Sequence, residues 1–394
     1  MQGQAVLSRH MEATAAGAVV ARASFAADIA ALLPLWTDLA ANAVEPNPFY
    51  GPALLPPALD AFGGEWPRLA IVQDRHGRLL ALSPLARLHG YSRLPVSYLA
   101  TWMHPHCFFA APLIRRGCEK AALAALFDLA EKDGAFFRLR HLDASGPIFA
   151  AARAVAAENG RLTGESGRYE RALLGAGYET EAYLQIALRG KKRKELRRLR
   201  TRLEEEGAVA FETLRDRTAL PGWTADFLAL ESAGWKGREG TALASDPAAS
   251  QFFADALLRA CDGGALRFHR LTHDGRPIAM IVNFIDGGAG FSFKIAYDEA
   301  YARYSPGVML EIEMMKALEA ERGLSFIDSC ASKDHPMINS LWRERRTIVA
   351  LNVSRRDAPS KLLFSILTNL EKTGEARRAR LRASANREAG DGDL

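Results

Sequence analysis

Two stretches of the chain repeat one pattern of apolar and polar positions. The first reads RLAIVQDRHGRLLALSPL from Arg68, and the second reads RFHRLTHDGRPIAMIVNF from Arg267. Each pattern predicts a strand, a polar turn with Asp, Gly and Arg, and a second strand, as in a β-hairpin. Such self-similarity favours duplication of one supersecondary unit. The alternative is two unrelated segments that share common turn chemistry.

The elements after each hairpin favour duplication. A helical pattern follows at 119–132 in the first half and at 306–322 in the second, and a glycine ends each, as at a helix C-cap. An aromatic-rich strand comes next, AFFRLRHLD or LSFIDSC. We therefore expect an α+β fold with two tandem units that face each other across a cleft. The predicted units are 25–180 and 181–357, and the first is a degenerate copy.

The remaining segments have simpler patterns. Residues 1–24 are expected to be disordered, and a helix is expected at 26–43 with Leu32, Leu35, Trp36 and Leu39 on one face. The segment 358–394 predicts a basic amphipathic helix and tail, irregular from about Ser384, with its apolar positions at Leu362, Leu363, Ile366, Leu367 and Leu370. Such a helix docks on the protein's own core or lies on a membrane surface.

The segment between the halves, GKKRKELRRLRTRLEEEG, predicts a helix whose buried face carries Leu196, Leu199 and Leu203. Its basic start and acidic end both oppose the helix dipole. Either the basic end meets an anion, or the helix is solvated and carries pairs such as Arg200 with Glu204.

Composition and charge say little about which class of ligand or partner the protein binds. The 394 residues carry a formal net charge of +5, which fits a polyanionic ligand, an anionic membrane surface or RNA. The four cysteines form no C-x-x-C pair, which favours a reducing compartment. His104-Pro105-His106-Cys107 has no further ligand nearby in sequence, so we expect these residues to line the cleft, and we expect no metal.

The strongest candidate for a ligand site is FSFKIAYDEAYARYSPGVML, from Phe291. It predicts a strand that leads into a helix, with Ser305 as N-cap and Pro306 at the first helical position. Gly307 would let a ligand approach the free amides of the helix start, where phosphate binds well. The predicted cofactor-binding residues are Lys294, Tyr304, Ser305, Pro306, Gly307 and Val308.

This segment resembles the GNAT-type acyltransferases grouped with the cellulose-biosynthesis CelD-like proteins, which are relatives of the Fem-type peptidoglycan aminoacyltransferases. Further matching segments are RKELRRLRTRLEEEG, FLALESAGWKGREGTAL, IDSCASKDHPMINSLWRERR, NPFYGPALL and HGRLLALSPL. The resemblance covers most of 30–350 and implies acyl transfer from acyl-CoA to an amine. The usual Arg/Gln-x-x-Gly-x-Gly/Ala loop is replaced by Tyr304-Ser305-Pro306-Gly307, which leaves open whether the donor is CoA or another carrier.

Attack of an amine on a thioester needs a proton acceptor. The candidates are Glu231 first, then Asp328, and then His335, while Tyr297 is a candidate acid for the leaving thiolate. The resemblance places the acceptor pocket near Gly234-Trp235-Lys236-Gly237. Predicted substrate-binding residues are Trp235, Lys236, His104, His106 and Cys330.

Three functions remain open. The first is an N-acyltransferase that acts on a sugar amine, or on a long-chain lipid amine such as a sphingoid base in the manner of a ceramide synthase. The second is a Fem-type transferase that uses aminoacyl-tRNA, for which a long helical arm inserted in the second half would argue. The third is a non-catalytic scaffold. We expect a bacterial cytoplasmic protein, monomeric or homodimeric, with peripheral contact to an anionic inner membrane.

Overall fold

The computed structural model describes residues 21–390 except positions 27, 66, 92–93 and 322. The strands are β1 Arg22–Phe25, β2 Arg68–Gln73, β3 Leu79–Tyr91, β4 Leu94–Thr101, β5 Leu113–Ile114, β6 Phe136–Asp143, β7 Thr163–Gly175, β8 Val209–Thr213, β9 Leu266–His273, β10 Arg276–Asp286, β11 Ala289–Tyr297, β12 Phe326–Asp328 and β13 Glu344–Ser354. The α-helices are α1 Leu33–Ala41, α2 Leu55–Phe62, α3 Glu119–Ala130, α4 Pro147–Glu158, α5 Thr180–Ala187, α6 Gly190–Glu206, α7 Leu220–Ala233, α8 Trp235–Arg238, α9 Pro247–Asp262, α10 Pro306–Glu319, α11 Pro336–Leu341 and α12 Ala358–Gly390. Short 3-10 helices span Ala30–Leu32, Pro48–Tyr50, Arg217–Ala219, Leu243–Ser245 and Glu299–Tyr304.

One mixed sheet organises the described part of the chain. Its strand order is β1-β2-β3-β4-β6-β13-β7-β12-β11-β10-β9-β8, and β5 pairs with β3. In each half an antiparallel hairpin and a third strand precede a helix, α3 or α10, and the strand after that helix pairs in parallel with the third strand. The predicted α+β fold of tandem halves is therefore confirmed.

The two predicted hairpins form because of their turn residues. In the second hairpin, Asp274 and Gly275 both have positive φ, 49° and 76°, which matches the twist of the flanking strands. In the first, the Asp74 carboxylate accepts hydrogen bonds from the amides of His76 and Arg78 at 2.8 and 3.0 Å.

The halves exchange strands at the centre of the sheet. β7, which precedes residue 180, pairs with β12 of the second half, and β13 of the second half pairs with β6 of the first. β7 and β13 also pair with each other. The division into 25–180 and 181–357 stays a prediction, although backbone hydrogen bonds cross it.

Helices cover both faces of this sheet. Helices α1–α4, α7 and α9 pack on one face, and α5, α6, α10 and α11 pack on the other. Leu196, Leu199 and Leu203 of α6 are buried, as expected. The expected pair also forms, since Arg200 Nε lies 2.6 Å from a Glu204 carboxylate oxygen.

The chain ends differ from the predictions. Residues 1–20 lie outside the described part, but 22–24 belong to β1, which pairs with β2. The first helix begins at Leu33 rather than near residue 26, and Leu35 is exposed. α12 continues to Gly390, beyond the predicted end near Ser384.

α12 buries only part of the apolar face that was expected, since Leu367 is the one of its five predicted apolar positions that is buried. Phe364 and Leu367 are buried beside β4 and β6. The apolar residues that remain exposed are Leu362, Leu363, Ile366 and Leu370. This exposed stripe suits the expected peripheral membrane contact, which stays a prediction. No helix in the described residues combines the length and apolar character needed to cross a bilayer.

Candidate active site

A cavity of about 350 Å³ lies at the carboxyl end of β11. β11 and β12 pair in parallel over only three residues, and β11 then continues while the chain after β12 leads to α11. The cavity occupies the opening between them and is lined by Leu230, Glu231, Gly234, Trp235, Lys236, Ile295, Ala296, Tyr297, Glu299, His335, Pro336 and Met337. Five predicted site residues therefore meet here, namely Glu231, Trp235, Lys236, Tyr297 and His335.

Glu231 is a buried carboxylate with both oxygens engaged. Its Oε1 lies 2.9 Å from Lys236 Nζ and 3.7 Å from Lys294 Nζ, and its Oε2 accepts the Leu243 amide at 2.8 Å. Burial raises the pKa of Glu231, but the two lysines and the hydrogen bonds outweigh burial and hold it below its ordinary value. A carboxylate so stabilised is a poor proton acceptor, because an effective base has a pKa near the working pH.

Lys294 lies on the face of β11 opposite to α10. Ile295 and Tyr297 pack with the α10 side of the sheet, while Lys294 pairs with Glu231 of α7 on the other side. Burial lowers the pKa of Lys294, and Glu231 opposes this shift. Lys294 was predicted to contact either a phosphate of the cofactor or a carboxylate of the acceptor. It lies on the face of the sheet away from α10, and its role stays a prediction.

The first half supplies two histidines to this region. His104 stacks on Phe62 of α2 with ring centroids 5.2 Å apart, and His106 stacks on Phe252 of α9 at 5.8 Å. Burial, helped by Lys294, lowers the pKa of His106 to about 4, and burial lowers that of His104 to about 3. Both rings are therefore neutral at pH 7. The described cavity lining includes neither ring, and their predicted substrate-binding role stays a prediction. Among the described residues no group of three or more side chains is arranged to hold a metal ion.

His335 caps helix α11 with one ring nitrogen and lines the cavity. Its Nδ1 accepts the Ile338 amide at 3.4 Å. Burial lowers the pKa of His335, so the ring is neutral above pH 6.5. A neutral imidazole that accepts at Nδ1 carries its proton on Nε2. This assignment comes from the hydrogen-bond network, and it makes His335 a hydrogen-bond donor to the cavity rather than a base.

The start of α10 differs from the predicted cap. Ser305 has φ 56° and ψ 52°, and its side chain makes no capping hydrogen bond. Its carbonyl instead accepts the amides of Val308 and Met309 at 3.0 and 3.2 Å. Pro306 has no N–H, so Gly307 supplies the amide that remains for a ligand at this end. A Cβ built on Gly307 would lie 3.6–3.8 Å from Met337, Tyr297 and Ile295, so the helix start borders the cavity.

Tyr304 has a structural contact. Its hydroxyl hydrogen bonds to the carboxylate of Glu206 at the end of α6, and Arg303 pairs with the same carboxylate. The described cavity lining does not include Tyr304. Its predicted contact with the cofactor is thus not supported by the geometry.

Asp328 and Cys330 lie in a buried ion-pair network away from the cavity. Asp328 Oδ2 accepts from Arg171 at 2.6 Å and from Arg346 at 2.7 Å, and Oδ1 accepts the Cys330 amide at 2.9 Å. Burial raises the pKa of Asp328, but the two arginines outweigh it and hold the carboxylate ionised. Burial also raises the pKa of the Cys330 thiol well above its usual range. This geometry favours a structural role over the predicted base and substrate-binding roles.

A second polar group lies beneath the start of α10. Glu311, one helical turn after Gly307, is 3% exposed, and its Oε2 has no partner in the described structure. Asn283 of β10 is fully buried, and neither its Oδ1 nor its Nδ2 has a described partner. Strand alternation places Asn283 on the α10 face, opposite Ser292 in the β10–β11 register. Sequence reasoning missed both residues, although a glutamate on the apolar face of GVMLEIEMMKALEA was visible.

Glu311 is expected to make stability fall as pH rises. Burial raises its pKa to about 8, whereas the ordinary glutamate pKa of 4.5 applies in the unfolded chain. The protonated form therefore favours the folded state, and the free energy of unfolding should drop by up to about 1.4 kcal/mol per pH unit between these values. Urea denaturation at pH 6–9 measures this slope, which Glu311→Gln should remove.

The control for this prediction is Glu313→Gln, because Glu313 sits on the same helix but pairs with Arg200 and Lys316. That variant should keep the wild-type dependence on pH. If Glu311→Gln and wild type show the same slope, Glu311 is ionised in the folded protein.

Residues 190–335 match the family model of the acetyltransferase (GNAT) domain. This match confirms the GNAT assignment made from the sequence for residues 190–335 and supports an acyltransferase activity. A search of the curated proteins gives no match.

Solved structures with a similar fold include the C-terminal DUF2156 domain of a putative lysylphosphatidylglycerol synthetase from Agrobacterium fabrum. It is 14% identical, covers 86% of this chain and 96% of its own, and has a TM-score of 0.53. FemX is 12% identical over 84% of this chain and 97% of its own, with a TM-score of 0.53. A conserved protein of unknown function from Bacteroides thetaiotaomicron is 13% identical over 84% and 99%, with a TM-score of 0.54. At these identities the likeness concerns the fold.

Proposed function

We propose that the protein transfers an acyl group from acyl-CoA to an amine of a cell-envelope precursor, either a sugar amine or a long-chain lipid amine. The observation that carries this proposal is the position of the cavity. It opens where β11 and β12 diverge, between the start of α10 on one face of the sheet and the Glu231 cluster on the other. A donor that enters on one face and an acceptor on the other would meet in this opening.

The donor side fits a pyrophosphate-bearing thioester. Gly307 provides a helix N-terminus with a side-chain-free approach, and such an end attracts anions. Beyond Phe291, the edge of β11 that faces β12 pairs with no strand in the described part of the chain, so its backbone can hydrogen bond to amide groups of an extended ligand arm. Ile295, Tyr297 and Met337 would then pack against the arm near its thioester.

The acceptor side is formed by α7, α8 and the first half. Trp235 is 47% exposed at the cavity, so it provides an apolar wall that a ligand would cover. Before an acceptor binds, the cluster of Glu231 with Lys236 and Lys294 carries an excess of positive charge, which disfavours an approaching ammonium ion and favours the neutral amine. The neutral amine is the form that attacks.

The reaction then follows from these groups. The amine nitrogen bonds to the thioester carbon, and the carbonyl oxygen becomes negative in the tetrahedral intermediate. His335 would donate its Nε2–H to that oxygen, as neutral donors do in oxyanion sites. When the carbon–sulfur bond breaks, the proton lost by the amine balances the thiolate, with Tyr297 as the candidate relay. The products are an amide and free CoA thiol.

The test of this function is the CoA species that the purified protein retains, identified by mass spectrometry. Release of thiol from that species should then require an added amine. A protein that binds no CoA thioester and releases no thiol with any amine would be a scaffold or would use another donor.

The second candidate is transfer from aminoacyl-tRNA, which the fold similarity to FemX favours. The similarity to a domain of a lysylphosphatidylglycerol synthetase likewise supports a role at the cell envelope. A Fem-type transferase was expected to carry a long helical arm inserted in the second half. Helix α6, in that half, has only 17 residues, which argues against the tRNA donor. Ribonuclease treatment separates the two donors, because it should abolish only tRNA-dependent transfer.

Gly307→Asp is expected to weaken CoA binding at least about tenfold. A carboxylate at this helix start would occupy the free amide and repel the pyrophosphate. Gly307→Ala is the matched control, because its Cβ would make only ordinary contacts of 3.6 Å or more. Calorimetry measures both affinities, and thermal unfolding checks the fold. Equal CoA affinity in the folded Asp variant and in wild type would place the phosphate elsewhere.

A further inference from the structure

The acceptor side of the cavity holds more positive than negative charge. Lys236 and Lys294 share the single carboxylate of Glu231, and their side chains are only 24% and 11% exposed. The other acid that lines the cavity, Glu299, is already engaged by the Trp235 amide at 2.8 Å and by Arg238 at 2.9 Å. Two partly buried cations therefore face one carboxylate.

The hydrogen bonds of the two lysines also indicate that this cluster can bind a further anionic partner. An ammonium has three donors. Lys236 gives one to Glu231 at 2.9 Å and one to the Ile295 carbonyl at 3.4 Å. Lys294 has an ion-pair contact with Glu231 at 3.7 Å, which is too long for a hydrogen bond. The described contacts leave donors on both ammonium groups, and one oxygen of their shared carboxylate, Glu231 Oε2, already accepts the Leu243 amide.

Lys294 lies away from the predicted phosphate site. Gly307 meets β11 through Ile295 and Tyr297, which lie on the α10 face. Lys294 lies on the α7 face with Glu231, and the charge of Lys294 also reaches His106 of the first half. The sheet thus separates the two sites, and the uncompensated charge belongs to the acceptor side.

We infer that the acceptor carries an anionic group, a carboxylate or a phosphate, a few bonds from its amine, and that Lys236 and Lys294 bind that group. This inference rests on the proposed function, because the ligand is an acceptor only if the protein transfers an acyl group to it. The anion completes the cluster as a second counterion, and its position fixes the amine in the opening between β11 and β12. An acceptor without a negative group leaves the two ammonium groups under-neutralised.

The experiment compares two pairs of amines whose members differ in the presence of an anionic group. Norleucine is matched with its methyl ester, and phosphoethanolamine is matched with ethanolamine. Calorimetry on the full chain should show the charged member of at least one pair bound about 10- to 100-fold more tightly, as for hydrogen bonds to a charged group. The pair that responds identifies a carboxylate or a phosphate. Equal affinity within both pairs, including no detectable binding, overturns the inference.

Variants test the assignment to these residues. Lys236→Met and Lys294→Met should each reduce the preference for the anionic amine. Glu231→Gln should act in the opposite direction and tighten anion binding by a factor on the order of ten, since it removes the competing negative charge. General damage to the site would weaken the binding of the anionic amine in all three variants. Weaker binding of that amine by Glu231→Gln than by wild type therefore contradicts the inference. Lys316→Met, in the groove between α6 and α10, is the control and should change nothing.

Calorimetry does not depend on turnover. If anionic amines bind selectively but no acyl-CoA releases thiol, the anion site stands and the proposed acyl transfer fails. If thiol is released equally with charged and uncharged amines and binding shows no preference, acyl transfer stands and the anion site fails.

Discussion

Asp328→Asn is expected to lower the free energy of unfolding by about 3–5 kcal/mol. The carboxylate is fully buried and neutralises Arg171 and Arg346, whose side chains are 1% and 4% exposed. Without it, Asp143 at 2.9 Å from Arg346 is the described acid that remains in ion-pair contact. Breaking one partner of such a network leaves a buried charge without its counterion, and the whole stability of a domain is only about 5–15 kcal/mol. Urea denaturation followed by circular dichroism measures the loss.

The matched control is Asp334→Asn. Asp334 is 83% exposed and contacts Lys333 at 3.7 Å, so its loss should change stability by less than about 0.5 kcal/mol. The same experiment separates a structural role from the catalytic one first considered for Asp328. A variant that keeps wild-type stability yet loses turnover 100-fold would make Asp328 catalytic after all.

The sequence could predict the repeated unit because its signals are local. The Asp-Gly turn before Arg276 and the polar turn that begins at Asp74 each lie within one hairpin, and turn chemistry alone indicates them. The apolar face of α6 was visible from the spacing of its leucines. These features can be predicted without knowing which residues pack against them from distant parts of the chain.

The exchange of β7 and β13 between the halves could not be predicted in this way. Their register depends on which strand edge is free after the rest of the sheet has formed, and the pairing joins residues far apart in sequence. The same applies to Asp328, whose partner Arg171 is 157 positions away. One signal was available, since arginines at inward-facing positions of β7 and β13 require a buried acid.

The candidate site was predictable in part. Glu231 and Lys236 are close in sequence, and Trp235 lies between glycines, so a turn with reactive side chains could be recognised. The role of Glu231 was not predictable, because it depends on Lys294 from a distant strand. The prediction that Ser305 is an N-cap with a capping side chain was wrong. Serine before proline is typical of an N-cap, but the backbone of Ser305 is left-handed and its side chain makes no capping hydrogen bond.

His335→Asn is expected to lower kcat by about 10²–10³ with little change in CoA affinity, the usual loss when one donor to an oxyanion is removed. The ring lines the cavity, and its Nδ1 already accepts the Ile338 amide, so its Nε2–H is the donor available to the substrate oxygen. Asparagine is a good N-cap, so the variant should keep α11 in place while it removes the ring. Stopped assays of thiol release at saturating donor measure kcat.

His335→Ala separates catalysis from capping. It should lose turnover as His335→Asn does, and in addition lose about 1 kcal/mol of stability because the cap is gone. Since burial keeps the ring neutral above pH 6.5, the wild-type kcat should show no histidine limb between pH 7 and 9. If the wild-type kcat does change with pH in that range, and the change disappears in His335→Asn, the ring takes up a proton and acts as the base. Turnover at the wild-type rate in His335→Asn would show that His335 does not donate to the oxyanion. The hydroxyl of Tyr297, which also lines the cavity, would then be the next donor to test by substitution.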